Sequence, residues 1–262
     1  MKGAVIGLGA LAFTGARVAP SQHDTSSSSG VTVFLSVQRG STPDSGHKRT
    51  AATVIAGATR RAIAALADAV RPLSAPGALE DAFRSYFTFR TAHPDQVRNP
   101  YLYFVDYGLP STAPRGYVFD MRSLEIVEGP FTVAHGRGSS TSMYGVPTRF
   151  SNEYGSAASS LGLYVTENLY HFLANAAGGA YHSVGLRLVG VSGDYNDNAF
   201  SRRVVAHGAP YVTPTKAGRS EGCPAMELSR AKRLLPKLAD GGMVFLFAPD
   251  SNWIAGDPWL TE

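Results

Sequence analysis

The chain holds a single cysteine, Cys223, among 262 residues. That scarcity excludes an internal disulfide and every metal site built on several thiolates. It also puts no cysteine behind the apolar block near the start, so the sequence offers no lipoprotein attachment point. Charge of one sign is scarce too. Lys and Arg outnumber Asp and Glu by 24 to 20, a formal net charge of +4 scattered along the chain. This balance makes no basic stripe for nucleic acid; it would suit an acidic polymer such as a cell wall, but surface charge of this size usually concerns solubility alone. Long hydrophobic runs are missing as well, and the apolar block Gly3 to Phe13 is too short for a stable membrane span. What is present is a globular composition, 44% hydrophobic, with 28 Gly and 16 Pro that imply many turns and loops. Such a length can bury a core as one large domain or two small ones.

Lys2, the apolar block and the small residues Thr14-Gly15-Ala16 form a signal-peptide pattern. Residues 1–16 are therefore expected to direct export to a periplasm or cell wall, with cleavage after Ala16. A dinucleotide-binding fingerprint also matches, as Gly7-x-Gly9-x-x-Ala12, but it needs a full helix behind it. Pro20 and the serine run Ser26 to Ser29 leave little room for one, and no βαβ series follows. Residues 17–49 read as a linker or poorly ordered segment.

A helical N-terminal region is expected over 50–95. Val54, Ile55, Ala58, Ala62, Leu66, Ala69 and Leu73 recur at helical spacing from Thr50 to Leu73, and a second helix covers Ala78 to Thr91. After Pro100 the character changes to short runs rich in aromatic and branched residues. These are Tyr101 to Tyr107, Arg115 to Phe119, Ile126 to Ala134, Leu161 to Thr166, Val184 to Val191 and Arg203 to Ala206, separated by Gly, Pro, Asn and Ser. The spacing predicts a mainly β sandwich or barrel over 96–250 with few helices. One helix is expected from Pro224 to Leu238, then a buried strand from Met243 to Phe247 and a tail over 251–262. There is no internal repeat, and nothing in the sequence speaks to oligomeric state.

A lone cysteine is either a small buried hydrophobe or a working thiol. Cys223 follows Gly222, which permits a sharp turn, and precedes Pro224, a favoured first helical residue. This placement predicts a sulfur at a helix N-terminus, where the dipole favours thiolate over a thiol of pKa about 8.5. A base is also required. Of the seven histidines, His207 ends an apolar strand ahead of Gly208, and the loop to Cys223 is long enough to fold back. Imidazole can take the thiol proton and later return it to a leaving amine. Spacing by itself leaves this pair undecided. Ser220 offers a rival nucleophile, since Gly218-x-Ser220-x-Gly222 matches the serine-hydrolase elbow. That elbow follows a buried strand and precedes its histidine, whereas Thr213 to Ala217 is not apolar and no histidine follows His207. A metal site from His135, His207 and Cys223 has irregular spacing and no readable support.

His207-Gly208 followed by Ser220-x-Gly222-Cys223 resembles the signature of L,D-transpeptidases. Flanking stretches resemble the murein L,D-transpeptidase catalytic-domain branch: Asp106-Tyr107-x-Leu109-Pro110-Ser111-Thr112, Val133-Ala134-His135-Gly136, Ser159-Ser160-Leu161-Gly162, Asn196-Asp197-Asn198-Ala199 and Gly222-Cys223-Pro224-Ala225. They occur in order over residues 80 to 248. The resemblance implies that 96–250 is a catalytic domain acting without cofactor or metal on peptidoglycan stem peptides. Cys223 would form a thioester and release a terminal D-alanine, with His207 as general base and acid. Backbone N–H groups around Gly222 and Cys223 would form the oxyanion hole. Arg219, Ser220, Gly208 and His135 would shape the pocket or bind substrate. The acyl group would pass to an amine of another stem, or to water in an L,D-carboxypeptidase or endopeptidase. A non-catalytic wall-binding module is the remaining alternative. The chain departs from the wider pattern in two places: Glu221 stands where a histidine is common, and Pro224-Ala225 replaces a Val-Arg pair.

Overall fold

The computed structural model describes residues 44–261, with side chains from Thr50 onward. The expected signal peptide and most of the expected linker lie outside the described residues. Helix α1, Asp44–Leu66, reaches back into the stretch read as linker. It ends earlier than predicted, in a 3-10 turn at Ala67–Ala69. Pro72 explains that end, because proline disfavours helical backbone in the residue before it and cannot donate to the preceding turn. Helix α2, Ala78–Ala92, buries Phe83, Tyr86 and Phe89 along one face and stops ahead of Pro94.

The strands follow as β1 (Tyr101–Asp106), β2 (Gly116–Asp120), β3 (Glu125–Phe131), β4 (His135–Gly136), β5 (Gly162–Ala176) and β6 (Gly179–Gly190). Next come β7 (Val205–Gly208), β8 (Val212–Thr213), β9 (Lys216–Ala217), β10 (Arg219–Ser220) and β11 (Ala225–Met226). Helix α3 (Leu228–Leu238), strand β12 (Met243–Phe247) and helix α4 (Ser251–Gly256) complete the chain. Eight strands form one mixed sheet in the order β11-β7-β6-β5-β12-β1-β2-β3. The β1–β12 and β7–β11 pairs are parallel, and the other pairs of this sheet are antiparallel. Two small sheets, β4–β10 and β8–β9, stand beside it. The fold is thus mainly β, as the sequence predicts, with four α-helices among the described residues.

β12 is buried at every position, which is why its sequence, Met-Val-Phe-Leu-Phe, is continuously apolar rather than alternating. Helix α3 lays Ala231, Leu234, Leu235 and Leu238 into the core against β6 and β7. The residues read as a tail are packed as well. Asp250 caps α4 by accepting from the N–H groups of Asn252 and Trp253, and Trp253 and Leu260 are buried.

Three local readings change. The strand expected from Ile126 to Ala134 ends at Phe131, and His135-Gly136 forms a separate strand beside β10. The β5–β6 pair is a long hairpin reaching Ala176 and Gly179, not two short strands. Its outer half is largely solvent-exposed and rich in Asn, Ala and Gly, so it lacks the alternation that marks a half-buried strand. Helix α3 starts at Leu228 rather than Pro224, because Ala225-Met226 is drawn into the main sheet beside β7.

Leu235 is fully buried. Leu235→Ala is expected to lower unfolding free energy by about 2–5 kcal/mol in urea titration, through lost burial and a residual cavity.

Candidate active site

His207 sits near the end of β7 between two strands, opposite Gly185 of β6 and Ala225 of β11. Small residues on both sides leave room for an imidazole on the sheet surface. The ring is nearly buried, at 7% exposure, and meets the edge of Phe172 from the hairpin at 5.8 Å between centroids. Its Nδ1 lies 3.0 Å from the Gly208 carbonyl. A carbonyl can only accept, so Nδ1 carries the proton of the neutral ring and Nε2 is left with a free lone pair. Ser183 donates to the same carbonyl at 2.8 Å and holds it in place. Burial pushes the His207 pKa down, and the Gly208 bond opposes that shift.

The loop carrying Cys223 is braced from three directions. Ser220 Oγ donates to the Cys223 carbonyl at 2.7 Å and accepts the Gly222 N–H at 3.2 Å. Ser159 Oγ donates to the Gly222 carbonyl at 3.1 Å and accepts the Gly136 N–H at 3.0 Å. Gly222 has φ +123°, a region that favours glycine, and a Cβ there would lie 2.8 Å from the Ala158 carbonyl oxygen. The Cys223 sulfur accepts the Val205 N–H at 3.4 Å. It therefore rests against the strand that carries His207, and both residues line one cavity of about 590 Å³. Arg137, Met143, Tyr211, the stretch Gly218 to Glu221 and the hairpin tip complete the walls.

The helix-dipole expectation for Cys223 fails. Strand β11 and the N-cap residue Glu227 separate Pro224 from α3, and the dipole field fades within a turn. Burial instead pushes the Cys223 thiol pKa up, opposed by the Val205 N–H and the charge of Arg202 and reinforced by Glu221. Burial thus disfavours the charged form of each group, the thiolate at Cys223 and the imidazolium at His207.

Other expected site residues take different places. Arg219 lines the cavity and donates to the Ser140 carbonyl at 2.9 Å. Ser220 reaches the wall but spends its hydroxyl on bracing the loop. Gly208 serves His207 through its carbonyl rather than facing substrate. Gly222 has its N–H committed to Ser220, whereas the Cys223 N–H has no partner among the described residues. His135 is not at the cavity wall. It is fully buried, and its Nδ1 lies 2.9 Å from the Arg115 guanidinium, which can only donate. Burial, with Arg115 and Arg219 nearby, pushes its pKa down to about 3. The metal set of His135, His207 and Cys223 is therefore not assembled, and no group of three metal-ligating side chains occurs among the described residues.

Two arginines shape the site without having been singled out in the sequence. Arg115 is completely buried, donates to the Val133 carbonyl and lies 4.9 Å from the centroid of Tyr107. Burial lowers its pKa to about 10. Arg202 donates to the Ser151 and Ala158 carbonyls, both at 2.8 Å, and so ties the 151–158 loop beneath Gly222. Its only sequence signal is the Arg202-Arg203 pair just ahead of the apolar Val204-Val205.

A family model for the L,D-transpeptidase catalytic domain matches residues 74–247, and the chain belongs to that family. Solved structures similar to it include an L,D-transpeptidase from Mycobacterium smegmatis, at 12% identity and a TM-score of 0.36, covering 57% of this chain and 59% of that one. Another is an L,D-transpeptidase from Stackebrandtia nassauensis, at 14% identity and a TM-score of 0.34, covering 66% and 67%. A third is L,D-transpeptidase 3 from Mycobacterium tuberculosis, at 12% identity and a TM-score of 0.31, covering 56% and 61%. The chain spans about three fifths of the first of these. No curated protein sequence matches it.

Cys223 is half-buried and its pKa is raised, so its alkylation by iodoacetamide is expected to rise with pH to a midpoint above about 8.5, the value of a free thiol. Glu221→Gln removes a charge that disfavours the thiolate and shifts that midpoint downward. Timed quenching and intact-mass analysis across pH 6 to 11 measure both.

Proposed function

We propose that the protein is an exported L,D-transpeptidase in which Cys223 is the nucleophile and His207 the general base and acid. One observation carries this reading: the Gly208 carbonyl holds His207 with Nε2 unprotonated, in the same cavity as the only thiol of the chain. A neutral thiol cannot attack a peptide carbonyl efficiently, so the base that shares its cavity is what makes it a nucleophile. Nε2 takes the thiol proton as sulfur attacks the carbonyl of an L-centred residue in a peptidoglycan stem peptide. The tetrahedral oxyanion is met by the Cys223 N–H, since the Gly222 N–H is committed to Ser220. His207 then gives its proton to the departing D-alanine amine, and a thioester remains. An amine from another stem closes a cross-link, whereas water releases a shortened stem. Arg219, one of two arginines at the cavity wall with Arg137, is suited to a substrate carboxylate. The N-terminal signal pattern supports export, and no described helix is long and apolar enough to cross a membrane.

Intact-mass analysis after exposure to a carbapenem is expected to show one stable adduct on the parent protein and none on Cys223→Ser. With disaccharide tetrapeptide as substrate, His207→Ala is expected to slow acylation by about 10²–10⁴-fold, the usual contribution of a positioned acid–base group. The ratio of cross-linked dimer to tripeptide separates transfer from hydrolysis. Absence of adduct on the parent, with slow iodoacetamide labelling, would overturn the nucleophile and favour the wall-binding alternative.

A further inference from the structure

The four residues Val133-Ala134-His135-Gly136 grip the cysteine loop on both flanks of Cys223. Upstream, His135 and Gly136 pair with Arg219 and Ser220. Downstream, the Ala134 N–H donates to the Ala225 carbonyl at 2.8 Å. Between these points Gly136 packs against Gly222, so closely that a Cβ on Gly136 would lie 2.8 Å from the Gly222 Cα. The place of Cys223 therefore follows the place of this segment.

The ladder between β2 and β3 ends with Gly116 and Phe131. Just beyond it, the side chain of Arg115 stands where a strand would. Its Nε and Nη2 donate to the Val133 carbonyl at 3.1 and 2.8 Å, and Nη2 also reaches His135 Nδ1 at 2.9 Å. Nη1 donates to the Leu109 carbonyl. Tyr107, whose ring faces the guanidinium at 4.9 Å, donates its hydroxyl to the Ala134 carbonyl at 3.1 Å. This arrangement is costly. Arg115 is wholly buried and forms no ion pair among the described residues. Because the guanidinium donates to Nδ1, the neutral His135 ring carries its proton on Nε2. That N–H is buried and has no partner among the described residues. A buried charge without an ion-pair partner and a buried unpaired donor both oppose folding. Their coincidence behind the cysteine loop points to a role in the site rather than in stability.

We propose that Arg115 is the positioning residue for the nucleophile: through Val133 and His135 it sets the 133–136 segment, and that segment sets where the Cys223 sulfur meets the scissile carbonyl. This rests on the thioester reading of Cys223. Arg115 lies outside the cavity wall, so it contributes alignment alone. Acylation needs sulfur, carbonyl carbon and the accepting nitrogen of His207 in register, and a displacement of about 1 Å costs on the order of a hundredfold in rate. A small alkylating agent needs only an open approach to the sulfur.

The test compares two rates on Cys223 in the full chain, both read by intact mass: acylation by a carbapenem and alkylation by iodoacetamide. Arg115→Lys keeps a charge but cannot span Leu109, Val133 and His135 together. It is expected to slow acylation by about 10–100-fold while alkylation stays within about threefold of the parent. His135→Leu removes the acceptor at Nδ1 and is expected to slow acylation by at least about tenfold. The side-chain oxygen of His135→Asn can stand where Nδ1 stands, without the unpaired Nε2–H. That variant is expected to recover most of the lost acylation and to match the parent in thermal unfolding. A residue that only supports the fold would instead lower both rates in step with the unfolding temperature. Parental acylation in Arg115→Lys or His135→Leu, or equal loss of both rates, would overturn the positioning role. So would a His135→Asn protein that does not fold, or that acylates no faster than His135→Leu. Where Arg115→Lys fails to fold, the two His135 variants decide. Absence of any carbapenem adduct on the parent would instead overturn the thioester reading, and the positioning role with it.

Discussion

The site depends on the parallel pairing of Ala225 and Met226 with His207 and Gly208. Parallel neighbours need a long connection, and here that connection is the loop from Ala209 to Pro224. The pairing turns this loop back so that its end, the Cys223 sulfur, rests on the N–H of Val205. It fixes the Gly208 backbone as well, and with it the carbonyl that sets the His207 tautomer. Had the cysteine begun a helix, the loop would have ended one strand short of the histidine's sheet.

Burial is the second constraint, and it works in opposite directions on the two groups. It raises the thiol and lowers the imidazole, and so disfavours the charged form of each. Beneath the two groups, Arg115 is the one fully buried arginine among the described residues. It is satisfied by carbonyls, by His135 and by the face of Tyr107, and Asp106 opposes the loss of its charge. Asp106 is in turn held by the Ser74 N–H and hydroxyl. His135 is thus part of the scaffold, although its place ahead of a glycine, like that of His207, suggests a site.

Much of the fold was legible because its signals are local. The helical spacing after Thr50, the apolar run at Met243 and the stripe of α3 each report a face that must be buried. The β5–β6 hairpin was not, since its outer half is held by its own cross-strand hydrogen bonds and needs no apolar pattern. The start of α3 was misread for a related reason. Pro224 satisfies the local rules for a first helical residue, but edge pairing with β7 outweighs that preference. Arg202 and Arg137 were invisible because an arginine's partners here are carbonyls and a carboxylate from distant loops.

The sequence by itself determined the candidate chemistry: one thiol, one histidine at a strand end ahead of a glycine, and no histidine after Ser220 to serve a serine. These are facts of residue type and order, which no fold can alter. Only the tertiary structure decided how that chemistry is poised. Which nitrogen of His207 is free, which N–H is left to meet an oxyanion, and whether Cys223 rests as thiol or thiolate depend on groups brought together from separate strands and loops. Hydrogen bonds and desolvation act over a few ångströms of space, and chain distance carries no record of them.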